Sequence, residues 1–402
     1  MREGGPGPLA GLTVLDLANL VAGGLAASHL ADFGARVIKV ERPGTGDLLR
    51  QWGPYKNGVS LWWKVLARNK ESITLNLTRK EGQEVLKRLV AHADVMVEGF
   101  RPGTMDRWGL SYDVLKQINP RLILATISGF GLTGPYKDRP GFGTVAESMS
   151  GFVNATGFPD GPPLLPPLPL ADEVAGTFAA MAIMMALYER DGRGSGQGQV
   201  IDVSLYEPLL RLMIPHATMY DQLGMLSHRQ GNRFSDAAPR GLYQAADGRW
   251  LSLSATTQGV WEPLAKAMGR EDLLTHPHFK DNPARVKNVD EVDRVVGEWI
   301  GARPLDEAYR VLHEAGAVVF PVYNTDQILE DPHYQAREDI VEVPDPELGC
   351  IKMQCVVPRL VRTPGKVRWA GPTLGQHNEQ VYSGLLDAKP GELAQWRQQG
   401  II

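Results

Sequence analysis

The sequence predicts an α/β protein: a parallel-sheet large domain followed by a smaller α+β domain. Three observations predict it. Short apolar runs alternate with helically spaced stretches up to about residue 131, a Gly-dense turn after residue 190 breaks the pattern, and a hairpin signal of different texture follows at 240–255. At 402 residues the chain exceeds one typical domain, so two are expected.

The elements follow in order. "LTVLDLANLV" (12–21) reads as a strand with one inserted Asp, "LAASHLADFGA" (25–35) as a helix stopped by Gly34, and "RVIKVERP" (36–43) as the next strand. This is a βαβ unit. The pattern repeats through strand "ITLNL" (73–77), helix 80–93, strand "DVMVEGF" (94–100), helix 111–119 and strand "RLILATISGFG" (121–131). A helix over 174–190 follows, then "VIDVSLYEPLLRLM", which opens as a strand and continues as a helix. "RGLYQAADGRWLSLSA" (240–255) is a hairpin with Asp247-Gly248 at its tip, and a terminal helix is expected at 390–399. The expected divisions are a large domain at 1–205, a linker at 206–227, a small domain at 228–320 and a return segment at 321–402 that completes the large domain.

Composition narrows the function. With 43% hydrophobic residues, 22% charged residues and a net charge of −4, the chain has no general attraction for polyanions. Nucleic acid is not an expected partner, and an anion site must come from local arginines and helix starts. Two cysteines, Cys350 and Cys355, and an N-terminus "MREGGPGPLAGL" without an apolar leader read as cytoplasmic, with no metal site. The longest apolar stretch, 174–188, is about fifteen residues, shorter than the roughly twenty of a membrane span, so a core helix is expected and no membrane partner.

Parallel sheets bind ligands at the carboxyl ends of their strands. The first βαβ loop, "NLVAGGLAAS", lacks G-x-G-x-x-G, and Gly23-Gly24 reads equally as close helix packing. Glu41 and Arg42, at the end of the second strand, stand where such folds meet an adenine nucleotide's ribose. Arg42 suits a phosphorylated ribose, hence NADP or coenzyme A (CoA). "EGFRPGTMDRWGLSY" (98–112) offers Gly99, Phe100, Arg101 and Arg107 for phosphate, and "GFGLTGPYKDRPGF" (129–142) adds Lys137 and Arg139 after the next strand.

"PPLPLADEVAG" (166–176) sets Asp172 and Glu173 at a helix start behind a stiff proline approach. Asp172 reads as the N-cap, its charge favoured by the helix dipole and so ionised at neutral pH. A carboxylate nucleophile must be ionised, and Ala171, Ala175 and Gly176 leave room for a bulky ligand.

The chain resembles the family III CoA-transferases, the formyl-CoA transferase and carnitine CoA-transferase group. The resemblance runs from "LAGLTVLDLANLVAGG" to "GPTLGQHNEQV" and rests on "GARVIKVERPGTGD", "FRPGTMDRWGL", "LADEVAGTFAAMAIMMALYERDGRGSGQGQVIDVSLYE" and "GNRFSDAAPRGLYQAADGRWLSL". It implies a Rossmann-like large domain in an interlocked homodimer, Asp172 as nucleophile, and CoA contacts at Val21, Ala22, Arg42, Leu75, Gly99, Phe100, Arg101, Arg107 and Lys137. Thr78 stands where some members have lysine, and Gly99 where many have asparagine. Family racemases use a histidine where this chain has Phe142, so CoA transfer is expected over α-proton abstraction. Acyl-CoA and a small carboxylic acid are the implied substrates, with no permanently bound cofactor. An NADP oxidoreductase and a non-catalytic acyl-CoA-binding protein are the alternatives from other classes. Arg233 and Arg240 in "QGNRFSDAAPRG" are candidates for pairing with a second substrate carboxylate, pointing to a dicarboxylate such as succinate or malate.

Overall fold

A computed structural model describes residues 7–402. Residues 1–6, part of the N-terminus on which the leader expectation rested, lie outside the described residues. The chain forms two compact units, one of residues 7–152, 165–223 and 333–402 and one of 153–164 and 224–332.

The first unit is built on a six-stranded parallel sheet. Its strands are β1 (Thr13–Asp16), β2 (Arg36–Glu41), β3 (Lys70–Thr74), β4 (Val95–Glu98), β5 (Ile123–Ser128) and β6 (Val200–Ser204), in the spatial order β3-β2-β1-β4-β5-β6. Leu15 lies opposite both Ile38 and Met96. Side chains alternate between faces. Leu15, Ile38 and Met96 therefore join one core and Val14, Val37 and Val95 the other. β5 is buried along its whole length, as expected of a parallel strand covered on both sides.

Helices α1 (Ala22–Asp32), α2 (Lys80–Val90), α3 (Tyr112–Ile118), α4 (Gly143–Met149) and α5 (Leu170–Leu187) connect or cover these strands. α2 packs Leu86 and Leu89 on the Leu15 face, together with Tyr382 and Trp396 from helices Asn378–Leu386 and Pro390–Gln398. α1 and α5 cover the other face with small residues, including Ala26, Ala27, Ala175 and Ala179. They cross so closely that a Cβ on Gly176 would lie 2.4 Å from the Ala22 carbonyl oxygen. Backbone must shift to admit it. Gly176→Ala is therefore expected to destabilise the fold by about 1–3 kcal/mol, read as a lowered denaturant midpoint.

α5 also corrects the expected length of the apolar stretch. It begins at Leu170, ahead of the carboxylate pair, and runs through a π-helical turn at Tyr188–Gly192. The resulting 23 residues are long and apolar enough to cross a membrane by length and composition alone. Ala175, Ala179 and Ile183 are nevertheless packed in the sheet's core.

The second unit holds a three-stranded antiparallel sheet: β7 (Arg240–Gln244) and β8 (Trp250–Ser254) form the expected hairpin, and β9 (Val319–Pro321) pairs with β8. Gly248 at the tip has φ 81°, a conformation that favours glycine. Trp261, Val292, Val296 and Leu312 from three helices fill its core.

Candidate active site

The strand order reverses at β1, whose neighbours are β2 and β4, and such a reversal opens a crevice beyond the carboxyl ends of the strands. Two adjoining cavities occupy it, of about 240 and 310 Å³, sharing Asn19, Leu48 and Phe100. Loops after β1, β4 and β5 wall the first, which Asp172 also lines. Arg42, Leu75, Thr78 and Trp108 line the second.

A buried charge network shapes the loop after β1. Leu20 adopts φ 63° without being glycine, and its N–H donates to Asp47 at 3.0 Å. The Asp47 carboxylate meets the Lys39 ammonium at 2.8 Å, Lys39 also donates to the Ala18 carbonyl, and Lys70 ties Asp16 (2.8 Å) to the Gly24 carbonyl (2.7 Å). All four charged side chains are buried. Burial works against the Lys39 ammonium, but Asp16 and Asp47 outweigh it and raise its pKa, so it stays charged.

Glu41 departs from its expected ribose-facing role. Its carboxylate is buried and accepts from Arg50 (2.7 Å), the Ser72 hydroxyl (2.6 Å) and the Asp47 N–H (2.9 Å). Those contacts draw its carboxylate into the protein; both residues line the cavity, but only Arg42 of the pair does so as an exposed charge. The Glu41 carboxylate, expected to meet a ribose, is thereby engaged elsewhere.

After β4, Glu98 is buried and accepts the Phe100 N–H at 2.7 Å, fixing the turn that presents Gly99, Phe100 and Arg101 to the first cavity. Burial pushes the Glu98 carboxyl up to about 7. Phe100 packs edge-on against Trp108 with ring centres 5.1 Å apart. Arg107 lines neither cavity; its guanidinium donates to Thr104 Oγ1 at 2.8 Å. After β5, Lys137 and Arg139 both line the first cavity, Arg139 lying 3.7 Å over the Tyr136 ring, and neither makes an ion pair among the described residues. Ala22 lines the cavity, whereas Val21 is buried beside Leu49 and Trp63.

Asp172 is not the N-cap. That position falls on Pro169, which offers no capping oxygen, and Asp172 is the third helical residue of α5. Glu147 of α4 serves instead: almost fully buried, it accepts the Ala171 N–H at 3.2 Å. The expectation that the helix start would keep Asp172 acidic is overturned. Burial, reinforced by the charge of Glu147, raises its carboxyl to about 6. At neutral pH roughly nine-tenths of it is still ionised. Gly143 lies directly against this carboxylate: a Cβ there would stand 2.0 Å from Asp172 Oδ2.

Phe142 lines the same cavity and is 66% exposed. Arg233 and Arg240 belong to the second unit, where both line a separate cavity of about 670 Å³. Arg233 is held by Asp293 (2.7 Å) and Asp290 (2.8 Å); Arg240 stands 5.0 Å over the Phe234 ring.

A family model described as CoA-transferase family III matches residues 9–378. The chain belongs to CoA-transferase family III. This transferase is 44% identical over 398 residues to the succinyl-CoA–D-citramalate CoA-transferase of Chloroflexus aurantiacus, covering 99% of this chain and 98% of that protein. It is 37% identical to the beta subunit of the same organism's succinyl-CoA–L-malate CoA-transferase, with 98% of each covered. The formyl-CoA:oxalate CoA-transferase of Streptomyces avermitilis is 34% identical over 98% of this chain and 99% of that protein. Among solved structures, a CAIB/BAIF family protein from Brucella suis superposes with a TM-score of 0.84 at 32% identity, covering 95% of this chain and all of that one.

Several residues that line or support the transferase's cavity gave no sequence signal. Leu20, Gly143 and Glu147 sit in unremarkable loop and helix text, and Asp47 reads as a turn residue. Lysines at 39 and 70 interrupting or flanking apolar strands were the available hint, since a strand buried on both faces has no ordinary place for a charge.

Proposed function

We propose that the protein moves CoA from succinyl-CoA to a free dicarboxylic acid through covalent intermediates on Asp172. The carrying observation is that Asp172 shares one cavity with the loops of Gly99–Arg101 and Lys137, at the reversal point of the sheet. The Chloroflexus relatives named for succinyl-CoA with citramalate or malate support the substrate class.

The chemistry proceeds without net loss of the thioester. An Asp172 carboxylate oxygen attacks the acyl carbon of the donor, the C–S bond breaks, and CoA leaves as thiolate, giving a mixed anhydride. The thiolate then attacks the Asp172 carbonyl carbon and releases the donor acid, leaving an aspartyl-CoA thioester. An oxygen of the acceptor carboxylate displaces the thiolate to form a second anhydride, and the thiolate attacks the acceptor's acyl carbon, restoring Asp172. Arg42 and Arg101 meet CoA phosphates, Leu75 and Phe100 its adenosine end, and Ala22, Gly99 and Lys137 the arm nearer the thioester, while Val21, buried beside Leu49 and Trp63, supports the Ala22 backbone from the core. Arg107 reaches phosphate by leaving Thr104. Phe142 contacts the acyl group, and Arg233 and Arg240 are the candidate partners for the acid's second carboxylate, Arg240 the less encumbered. No permanently bound cofactor or metal takes part.

The large unit acts as the CoA-binding domain. The end of α5 carries exposed Met181, Met184, Met185 and Tyr188, an apolar face suited to a second copy of the chain in an interlocked, cytoplasmic homodimer. Light scattering that returns the 44.1 kDa monomer at micromolar concentration would remove the dimer.

The test is CoA exchange from succinyl-CoA to a panel of mono- and dicarboxylates, with products weighed by mass spectrometry. Hydroxylated dicarboxylates of four or five carbons are expected to exceed monocarboxylates of equal length by at least about tenfold in kcat/KM, because an unpaired cation in the site penalises the poorer ligand. Equal use of both classes would reject the substrate assignment. Attack requires the ionised carboxylate, so activity should fall as pH drops through about 6.

A further inference from the structure

We propose that Glu147 is a positioning residue for the nucleophile, holding the first turn of α5 and placing a second negative charge beside the Asp172 carboxylate. The inference rests on Asp172 being the acyl carrier.

A helix start leaves backbone N–H groups without partners, and α5 lacks a capping side chain at Pro169. Glu147 reaches across from α4 to accept the Ala171 N–H, one residue before the nucleophile. It lies four positions after Gly143, so the same face of α4 that abuts the Asp172 carboxylate also anchors the helix carrying it. The two helices form a clamp around the reactive oxygen.

Capping needs only an acceptor oxygen, and a glutamine amide would provide one without the cost of burying charge. Glu147 is 3% exposed and has no cationic partner in an ion pair among the described residues. The surplus in this arrangement is its charge. The other charged groups facing the Asp172 carboxylate are Glu173 on its own helix and Lys137 and Arg139 on the loop after β5; α1 presents only Ala22 and Gly23 to the cavity. The other acids on elements packed against α5 are Asp202 of β6, Glu207 beyond it, Asp32 of α1 and Glu189 and Asp191 of the π-helical turn, and each already accepts hydrogen bonds, from the Leu132 N–H, the Ser204 hydroxyl, Arg68, the Ser195 hydroxyl and Arg190 respectively.

Repulsion between Glu147 and Asp172 has a direction in the reaction. When Asp172 attacks, its charge passes to the departing thiolate, so the repulsion present in the resting enzyme is relieved as the acyl bond forms. A more basic carboxylate is also the stronger nucleophile. Both effects favour acylation, and neither alters binding of the CoA moiety.

Glu147→Gln keeps a capping oxygen and removes the charge. In this variant the acid limb of kcat/KM should move down by about half a pH unit or more. Acyl-enzyme formation at pH 8, followed by rapid quench, should slow by roughly fivefold or more, with KM for succinyl-CoA within about twofold of wild type. Glu147→Ala, which loses cap and charge together, should in addition lower the melting temperature. An acid limb and acylation rate unchanged in Glu147→Gln overturn the inference while leaving the nucleophile intact. Hydroxylamine trapping separates the two readings: wild type that yields no hydroxamate at Asp172 overturns both.

Discussion

Asp172→Ala is expected to lose CoA exchange by roughly 10³-fold or more while folding normally, because every step of the proposed route forms or breaks a bond to that carboxylate. Exchange near the wild-type rate would end the covalent reading. Asp172→Asn carries a second expectation of opposite sign. The Asp172 carboxyl is raised in the folded protein from 3.8 to about 6, so the folded state binds its proton more tightly than the unfolded chain does. The charged form is therefore a burden on stability that is absent below pH 3.8, grows as pH rises towards 6, and is complete above it. A neutral asparagine removes it. Asp172→Asn should be inactive yet more stable than wild type at pH 7, by on the order of 1–2 kcal/mol, and the gain should vanish near pH 4. Denaturant titrations of both proteins at the two pH values check this.

Gly143→Ala should lower kcat by roughly 10²-fold with little change in KM for the CoA donor. The added methyl would clash with Asp172 Oδ2, which stands 2.0 Å from where a Cβ would lie. The atom in the way is the end of a short side chain, so rotation of the carboxylate relieves the clash at small cost to the fold. That rotation removes the oxygen from its line of attack. A variant with wild-type kcat would show that the reactive oxygen is not the one facing α4. One that fails to fold would show that the α4 helix start cannot accept a Cβ.

The parallel sheet was legible because its signal is local: apolar runs of strand length alternate with helical spacing, and glycine stops such as Gly34 mark the changes. The position of Asp172 at the start of α5 was legible to within a few residues, but its environment was not. Proline and two adjacent acids suggested a helix beginning after them, whereas the helix begins at Leu170 and takes its cap from Glu147, 24 residues upstream of Ala171. A cap delivered from another helix leaves no mark in the capped segment. Glu41 failed for a related reason. Its strand-end position was read correctly, but its partners, Arg50, Ser72 and the Asp47 N–H, come from segments that only the fold brings together. Charge burial is a tertiary property, and the lysines and aspartates under the Leu20 loop are its clearest case here.

That charge network sets how the enzyme should respond to ionic strength. Mobile ions weaken attractions between charges that water can reach, with a screening length of about 8 Å at physiological salt, but they have little access to groups as enclosed as Lys39, Asp16 and Asp47. The backbone around Leu20 should keep its shape in molar salt. Arg42, Arg101 and Lys137 lie open to solvent, so the attraction they exert on phosphate or carboxylate groups is screened. Concentrated electrolyte should therefore act as a competitor for the substrate rather than as a denaturant of the cleft.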